Sequence, residues 1–146
     1  MASEDYLEYG VKYIPADSAP TQLSTLSLHL LKDQIDFVQV IWCDYSNTTR
    51  CRILSWAYFA GIMRSTRPGI SITKVVLLLV NLEAPEEFRA EGEWHLAIDM
   101  SSIRLCPYQE RTATVMGYFQ EKWPTIPGRP LAAPHDPRSI LKRIVE

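Results

Sequence analysis

The sequence has little of what staples, anchors or metallates a small protein. Its three cysteines, Cys43, Cys51 and Cys106, are an odd number without C-x-x-C spacing. Neither a disulfide framework nor a thiolate zinc site is expected, and a reducing, cytoplasmic setting fits. The longest uninterrupted apolar run, Val75 to Val80, falls far short of the roughly 20 residues a membrane-spanning helix needs. The start, Met1-Ala2-Ser3-Glu4-Asp5, is acidic and has no apolar stretch, unlike a secretory signal. Basic residues form no cluster. The 15 Lys and Arg against 17 Asp and Glu give a net charge of −2 and a pI near 5.9. That balance argues against a nucleic-acid partner, whose phosphates need a basic face. His29, His95 and His135 lie far apart without ligand spacing, so solvated or internally satisfied imidazoles are expected rather than a metal site. No nucleophile–base pair and no phosphate-cradling Gly loop is evident, which disfavours a small enzyme complete in itself.

What is present is an ordinary globular chain of 146 residues, 47% hydrophobic and 22% charged. At this length one core buries about two-thirds of the surface of the unfolded chain without a staple. Residues 1–34 read as a leader without sustained period up to Thr21, then a short helix over Gln22 to Asp33 on Leu23, Leu26, Leu30 and Leu31. Asp36 to Cys43 and Arg50 to Trp56 are rich in β-formers, and Ser46-Asn47-Thr48 favours a turn between them, which predicts a β-hairpin. Trp56, Phe59, Ala60 and Met63 then repeat at helical spacing, with Ser55 as cap and Arg67-Pro68-Gly69 as terminator. Ile70 to Leu82 is compatible with a buried strand or a buried helix. Glu83 to Gly92 reads as a solvated acidic loop. In Glu93 to Asp99, Trp94, Leu96 and Ile98 alternate with Glu93, His95, Ala97 and Asp99, predicting a strand with one wet face. Ser101 to Tyr108 extends or follows it, and Thr112 to Gln120 predicts another strand with Ala113, Val115, Gly117 and Phe119 on one side.

Five of the ten prolines fall between Trp123 and Pro137, so residues 121–135 read as an extended linker. Asp136-Pro137-Arg138-Ser139 is a strong helix start, a capping carboxylate followed by proline at the first helical position. Ile140, Leu141, Ile144 and Val145 form an apolar stripe behind it. A helix this short depends on packing of its apolar face, so residues 136–146 read as the first helix of a further domain. The fold class expected from these elements is α+β.

Taken in order, Val38-Gln39-Val40-Ile41-Trp42-Cys43-Asp44-Tyr45-Ser46-Asn47, then Arg50 and Arg52, Gly69-Ile70-Ser71, Gly92-Glu93, Asp99-Met100-Ser101-Ser102, Pro107 and Asp136-Pro137-Arg138 form a series. It resembles the N-terminal β-grasp domain of the glutamine synthetase family, fungal-type synthetase-like proteins above all, over about Ile35 to Glu146. The resemblance implies a β-grasp-like mixed sheet over residues 35–120 with one or two packed helices, ahead of the Pro-rich linker. It also implies a homo-oligomeric parent enzyme in which ATP and Mg or Mn activate a carboxylate, usually of glutamate, as an acyl phosphate that an amine attacks. In that family the small domain closes the active site of a neighbouring subunit's catalytic domain, and the nucleotide and metal sites lie in that larger domain. By this reading the present chain carries no catalytic residue, cofactor or metal of its own. Two departures stand out. Ile98 occupies the place where the family's D-x-S-[ST] loop usually has proline. Arg67-Pro68-Gly69-Ile70-Ser71 has no carboxylate where the glutamate–ammonia ligases carry an ammonium-binding aspartate, so this loop lacks the anion that desolvating a cation requires. The alternative is a free-standing β-grasp binding or regulatory module.

The substrate-facing or subunit-interface candidates are Ser71, Asp99, Ser101, Ser102, Arg50, Arg52 and Asp44. Asp99 with Ser101 and Ser102 suits a polar loop that orients an ionic substrate, and equally a turn that satisfies its own backbone. Arg50 and Arg52 share one strand face and suit a carboxylate or phosphate clamp, or a solvated face with a pair to Asp44. Cys43 and Cys51, on adjacent hairpin strands, are expected as buried thiols, and Trp42, Trp56, Trp94 and Val75 to Val80 as core.

Overall fold

The computed structural model describes residues 34–77, 92–123 and 131–145, together with the backbone of two short strands near the start of the chain. The helix expected over Gln22 to Asp33, most of the acidic loop, residues 78–82 and Pro124, Pro127 and Pro130 lie outside the described residues. Strands β1 (Tyr6–Glu8) and β2 (Val11–Tyr13) pair antiparallel with Tyr6 opposite Tyr13, so the leader holds a hairpin that its lack of period did not suggest.

The expected hairpin forms from β3 (Phe37–Cys43) and β4 (Thr49–Ser55). Val38, Val40 and Trp42 point to the core, and the alternate residues Gln39, Ile41 and Cys43 take the other face. Cys51 lies opposite Ile41 and therefore shares that second face. Both Cys43 and Cys51 are exposed, against the expectation of buried thiols; strand parity overrides the burial tendency of the residue type, and Cys106 is the buried cysteine.

Helix α1 (Trp56–Ile62) starts where expected. The Ser55 hydroxyl accepts the Tyr58 N–H at 3.4 Å and Phe59 is fully buried. It closes before Arg67-Pro68-Gly69, because the Arg64 and Ser65 amides donate three residues back to Gly61 and Ile62 and the Ser65 hydroxyl donates to the Ile62 carbonyl. Such bonds satisfy carbonyls left over at a helix end. The ambiguous apolar segment begins as strand β5 (Gly69–Thr73), with Ile70 and Ile72 inward, and tightens into a 3-10 turn over Lys74–Leu77.

Strand β6 (Glu93–Leu105) runs through the segment expected to extend it, and β7 (Thr112–Glu121) returns antiparallel. Their register shifts between Asp99 and Arg104, a bulge that bends β6 around Ser101. The five strands order as β4-β3-β7-β6-β5. Only β3 and β7 run parallel, Phe37 opposite Thr112, and that central pair makes the sheet mixed. One face carries the core: Trp42 and Trp94 pack on Phe119 with ring centres 5.9 and 5.7 Å apart, beside Val38, Val40, Ile72, Leu96 and Val115, with Phe59 and Leu77 above them. Trp56 lies 5.9 Å from Phe59 at the edge of this cluster.

Beyond Met116 the β3-side edge of β7 is left open by the end of β3, and residues 131–133 take that place. The Glu121 amide donates to the Leu131 carbonyl at 2.6 Å and the Ala133 amide to the Phe119 carbonyl at 3.1 Å, and Ala133 is fully buried. The described end of the proline-rich segment is thus packed against the sheet rather than extended away from it. Helix α2 (Pro137–Val145) follows. Among the described residues no helix is long and apolar enough to cross a membrane. The architecture is the expected α+β fold, a curled mixed sheet with two helices in a β-grasp-like arrangement.

Candidate functional site

The D-Y-S-N turn is built around Asp44. Its Oδ1 accepts the Ser46 amide at 2.9 Å, the Ser46 hydroxyl at 2.7 Å and the Thr48 amide at 2.9 Å, and Oδ2 accepts Arg50 Nε at 2.5 Å. Asn47 takes the left-handed conformation that a short polar side chain tolerates. The Asp44 side chain is sealed, while Arg50 keeps 27% of its exposure. Burial pushes the Asp44 carboxyl up, but the bonds from Ser46, Thr48 and Arg50 outweigh it and hold the group below the usual carboxylate range. Arg50 is thus paired with Asp44, and Arg52 is exposed on the same edge strand.

The D-x-S-S segment sits in the β6 bulge. Asp99 Oδ1 accepts the Ser101 amide at 3.2 Å and its hydroxyl at 2.6 Å, so the turn satisfies its own backbone. The Ser102 hydroxyl donates to the Asp99 carbonyl at 2.6 Å and accepts the Met116 amide at 2.7 Å, clamping the bulge to β7. Asp99 Oδ2 accepts Arg138 Nη2 at 2.7 Å, and the guanidinium lies 6.0 Å from the Tyr118 ring centre. Desolvation raises the Asp99 carboxyl, yet Ser101 and Arg138 hold it below the usual range.

The D-P-R segment connects these two motifs. The Tyr45 hydroxyl in the first turn donates to the His135 carbonyl, and Arg138, three residues on, bonds Asp99 of the second. Asp136 between them is buried and caps α2, accepting the Ser139 amide and hydroxyl at 2.7 Å each. Burial, with a smaller part from the Asp136 charge, raises the Tyr45 hydroxyl above its ordinary value. Asp44, Arg50, Asp99, Ser101 and Ser102 thus belong to turns joined through residues 135–138. Ser71 stands apart, exposed on β5 opposite His95.

Several polar residues escaped sequence reasoning. Arg67, taken for part of a helix terminator, bonds the Glu121 carbonyl at 2.5 Å, the Lys122 carbonyl at 3.0 Å and Gln120 Oε1 at 3.2 Å, fastening the end of β7. His95, expected on a wet face, is half-buried over Gly69 with its Nε2 unpartnered, and the neighbouring Ala97 is buried. Burial, then the charges of Arg67 and Lys122, lower its pKa to about 4 despite a bond to the Pro68 carbonyl. His135 stacks on Trp94 at 6.5 Å. Gln39, buried on the second sheet face, donates to Gln109 at 2.8 Å. The pairings of Arg67 and Gln39 span 53 to 70 residues and left no local signal. An open depression of about 410 Å³ is lined by Lys74, Gly92, Glu93, Glu121, Lys122 and Trp123 and includes none of the candidate residues. Among the described residues no three His, Cys, Asp or Glu side chains are grouped to hold a metal.

The fold and its joined polar turns define a β-grasp-like domain. No protein-family model matches the chain, and no curated protein matches it. Solved structures do share the fold. A structure titled as the GmaS/ADP complex, conformation 1, superposes with a TM-score of 0.58 at 16% identity, over 80% of this chain and 24% of that one. Apo GmaS without ligand gives 0.57 at 16% identity, over 79% and 24%. GmaS is a glutamine synthetase-like enzyme, and at this identity the likeness is one of fold. The chain spans 24% of the length of those structures.

Proposed function

We propose that this chain is the β-grasp-like domain of a glutamine synthetase-like carboxylate–amine ligase, and that it completes the active site of a neighbouring catalytic domain in a cytoplasmic homo-oligomer. The observation that carries this reading is the shared fold over 80% of the chain with a glutamine synthetase-like enzyme whose structure is titled as an ADP complex. The D-Y-S-N, D-x-S-S and D-P-R motifs, joined through Tyr45, His135 and Arg138, support it. In such a ligase ATP transfers its terminal phosphoryl group to a substrate carboxylate, giving an acyl phosphate and ADP. An amine then attacks the acyl carbon and phosphate leaves. The described residues offer no group suited to a metal, and no step is assigned to one within this chain. Their part is to shape and charge one wall: Asp99, Ser101 and Ser102 as a preset polar loop, and Arg52 and Ser71 as exposed groups at the two sheet edges. Ammonium is a poor fit for the Arg67 to Ser71 stretch, which holds no carboxylate.

The test has two stages. The transcript is read past the codon for Glu146, where the frame is expected to continue into a segment with paired glutamates. The full product is then assayed for glutamate-dependent ADP release with ammonium, methylamine and larger amines. A stop codon directly after Glu146 would overturn the ligase reading and leave a free-standing binding module. Absence of ADP release with every carboxylate and amine tried would do the same.

A further inference from the structure

Strand β5 is an open edge of the sheet, and its backbone is spent on one side only. The Lys74 amide donates to the Gly92 carbonyl at 3.3 Å, and the register of β5 on β6 runs directly into that pair. Bonded and unbonded pairs alternate along an antiparallel ladder. Ile72 and Ile70 therefore bond β6, while Gly69, Ser71 and Thr73 turn their N–H and C=O groups outwards. The other side of β6 agrees. Phe119 and Glu121 bond residues 131–133, which leaves Tyr118 and Gln120 to bond Ala97 and His95, the residues opposite Gly69 and Ser71. Among the described residues no strand pairs with the outer edge of β5. The strand, Gly69-Ile70-Ser71-Ile72-Thr73, carries no charge and reads almost alike in both directions about Ser71. Edge strands are commonly guarded by charged side chains. The opposite edge has that guard: antiparallel self-pairing of β4 centred on Cys51 or Arg52 sets arginine against arginine.

We propose that β5 is a self-association edge, at which two copies of this chain pair antiparallel about a two-fold axis through Ser71 and join their sheets. Ser71 then lies opposite the partner's Ser71, Gly69 opposite the partner's Thr73, and Ile70 opposite the partner's Ile72. This register matches every outward N–H of the strand with an outward C=O. Ile70 and Ile72 stay on the core face, and no like charges meet within the paired strands. The flanking cations do not oppose it. Arg67 is fastened to the Glu121 and Lys122 carbonyls, and Lys74 lies 5.4 Å over Trp94 of its own sheet. Pro68 and the 3-10 turn Lys74–Leu77 stop the strand at its two ends. The ladder is thus short, and one pairing consumes the unguarded edge of each copy, which gives a closed dimer rather than a filament. The inference does not rest on the ligase reading, and it puts Ser71, which stands apart from the joined turns, on the symmetry axis.

The test is self-association of the 146-residue chain, followed by sedimentation equilibrium from about 10 µM to about 1 mM, the range suited to a small interface. The wild type is expected to form dimers and nothing larger. As they form, amide exchange slows at Gly69, Ser71 and Thr73 and stays unchanged at Ile70 and Ile72, whose amides already bond β6. Ser71→Pro removes both bonds of the central pair and weakens dimerisation by about ten-fold or more. Its ladder to β6 survives, because the amide it loses points outwards. Ser71→Lys and Ser71→Glu are each monomeric, since like charges face each other across the axis, and an equimolar mixture of the two restores the dimer. Ile144→Glu, on the exposed stripe of α2, and Cys51→Lys, at the β4 edge, leave dimerisation unchanged. Circular dichroism checks that each variant keeps the fold. A wild type that stays monomeric across this range, dimerisation that survives Ser71→Lys, or its loss in Ile144→Glu would overturn the pairing.

Discussion

Replacing Asp44 by alanine removes one carboxylate that holds together an entire turn. Four donors lose their acceptor: the amides of Ser46 and Thr48, the Ser46 hydroxyl and Arg50 Nε. Breaking a deeply buried ion pair costs about 3–5 kcal/mol. Here the seal is shallow, since Arg50 keeps 27% exposure and Ser46 and Thr48 are exposed, so the orphaned donors regain water. The ion-pair bond at about 1.5–3 kcal/mol and two backbone bonds at about 0.5–1.5 each, partly offset by that rehydration, put Asp44→Ala near 3 kcal/mol. Asp44→Asn keeps an acceptor for the Ser46 and Thr48 amides and loses only the charge towards Arg50, which sets it at about half that figure. Urea unfolding followed by tryptophan fluorescence measures both. A double-mutant cycle with Arg50→Ala isolates the pair, for which a coupling of about 1–2 kcal/mol is expected. The pH dependence has a definite sign. The folded carboxyl lies below its ordinary value, so the contribution is present above that value and disappears as pH falls through the lowered one. The asparagine variant lacks that part of the acid loss. A cost for Asp44→Ala below about 1 kcal/mol, or a cycle without coupling, would show that the backbone bond from the Asp44 amide to the Thr48 carbonyl and the left-handed Asn47 hold the turn unaided.

Three further outcomes can be checked on the same chain. Gly69→Ala places a Cβ 2.3 Å from His95 Nε2 and 2.5 Å from the Leu96 carbonyl oxygen, and backbone cannot yield as a side chain can; a loss of at least about 2 kcal/mol is expected by thermal unfolding, with amide exchange fastest in β5. Asp136→Ala removes the cap of α2 and lowers its stability by about 1 kcal/mol, read as loss of helical carbon shifts over residues 137–145, whereas Asp136→Asn loses less. The His95 pKa is depressed from 6.5 to about 4, so the unfolded chain binds the extra proton first: stability falls as pH drops from 6.5 to about 4 and levels below that, and His95→Gln flattens this window in urea titrations taken at successive pH values.

Much of the fold was legible because it is written in short-range patterns. Alternation in Trp94 to Ile98 picked the inward face of β6 and that in Ala113 to Phe119 grouped the residues that share one face of β7, and Ser55 and Asp136 announced both helix starts through their capping oxygens. Parity says which residues share a face but not whether that face is wet. That is why Ala97 was misplaced, and why Cys43 and Cys51 surfaced when residue type alone suggested burial. The parallel pairing of β3 with β7 has no local signature, because the two strands are separated by β4, α1, β5 and β6 in sequence. The order of the sheet is therefore not legible in local patterns, and the family resemblance implied only that the sheet is mixed. In the candidate site the turns around Asp44 and Asp99 were readable from their Asx and Ser spacing. Their connection through His135 and Arg138 was not, since it depends on residues 131–133 filling the edge of β7 that β3 leaves open.

The same geometry limits what chemistry the two carboxylates can carry. A general base or acid works best with a pKa near the working pH, and Asp44 and Asp99 are both held below the ordinary carboxylate range. Near neutrality they are fixed anions, and each is already matched by one arginine, Arg50 or Arg138. Asp44 is sealed beneath its own turn, so its charge is spent on structure. Asp99 keeps 23% of its exposure, and Ser101 presets its carboxylate for Arg138. An ammonium or alkylammonium group presented to this face meets a neutral pair. Arg138→Gln removes the compensating cation and leaves the anion, so methylammonium titrated against the backbone amide shifts around Asp99 is expected to bind more tightly, whereas Asp99→Asn removes the anion and is expected to abolish the response.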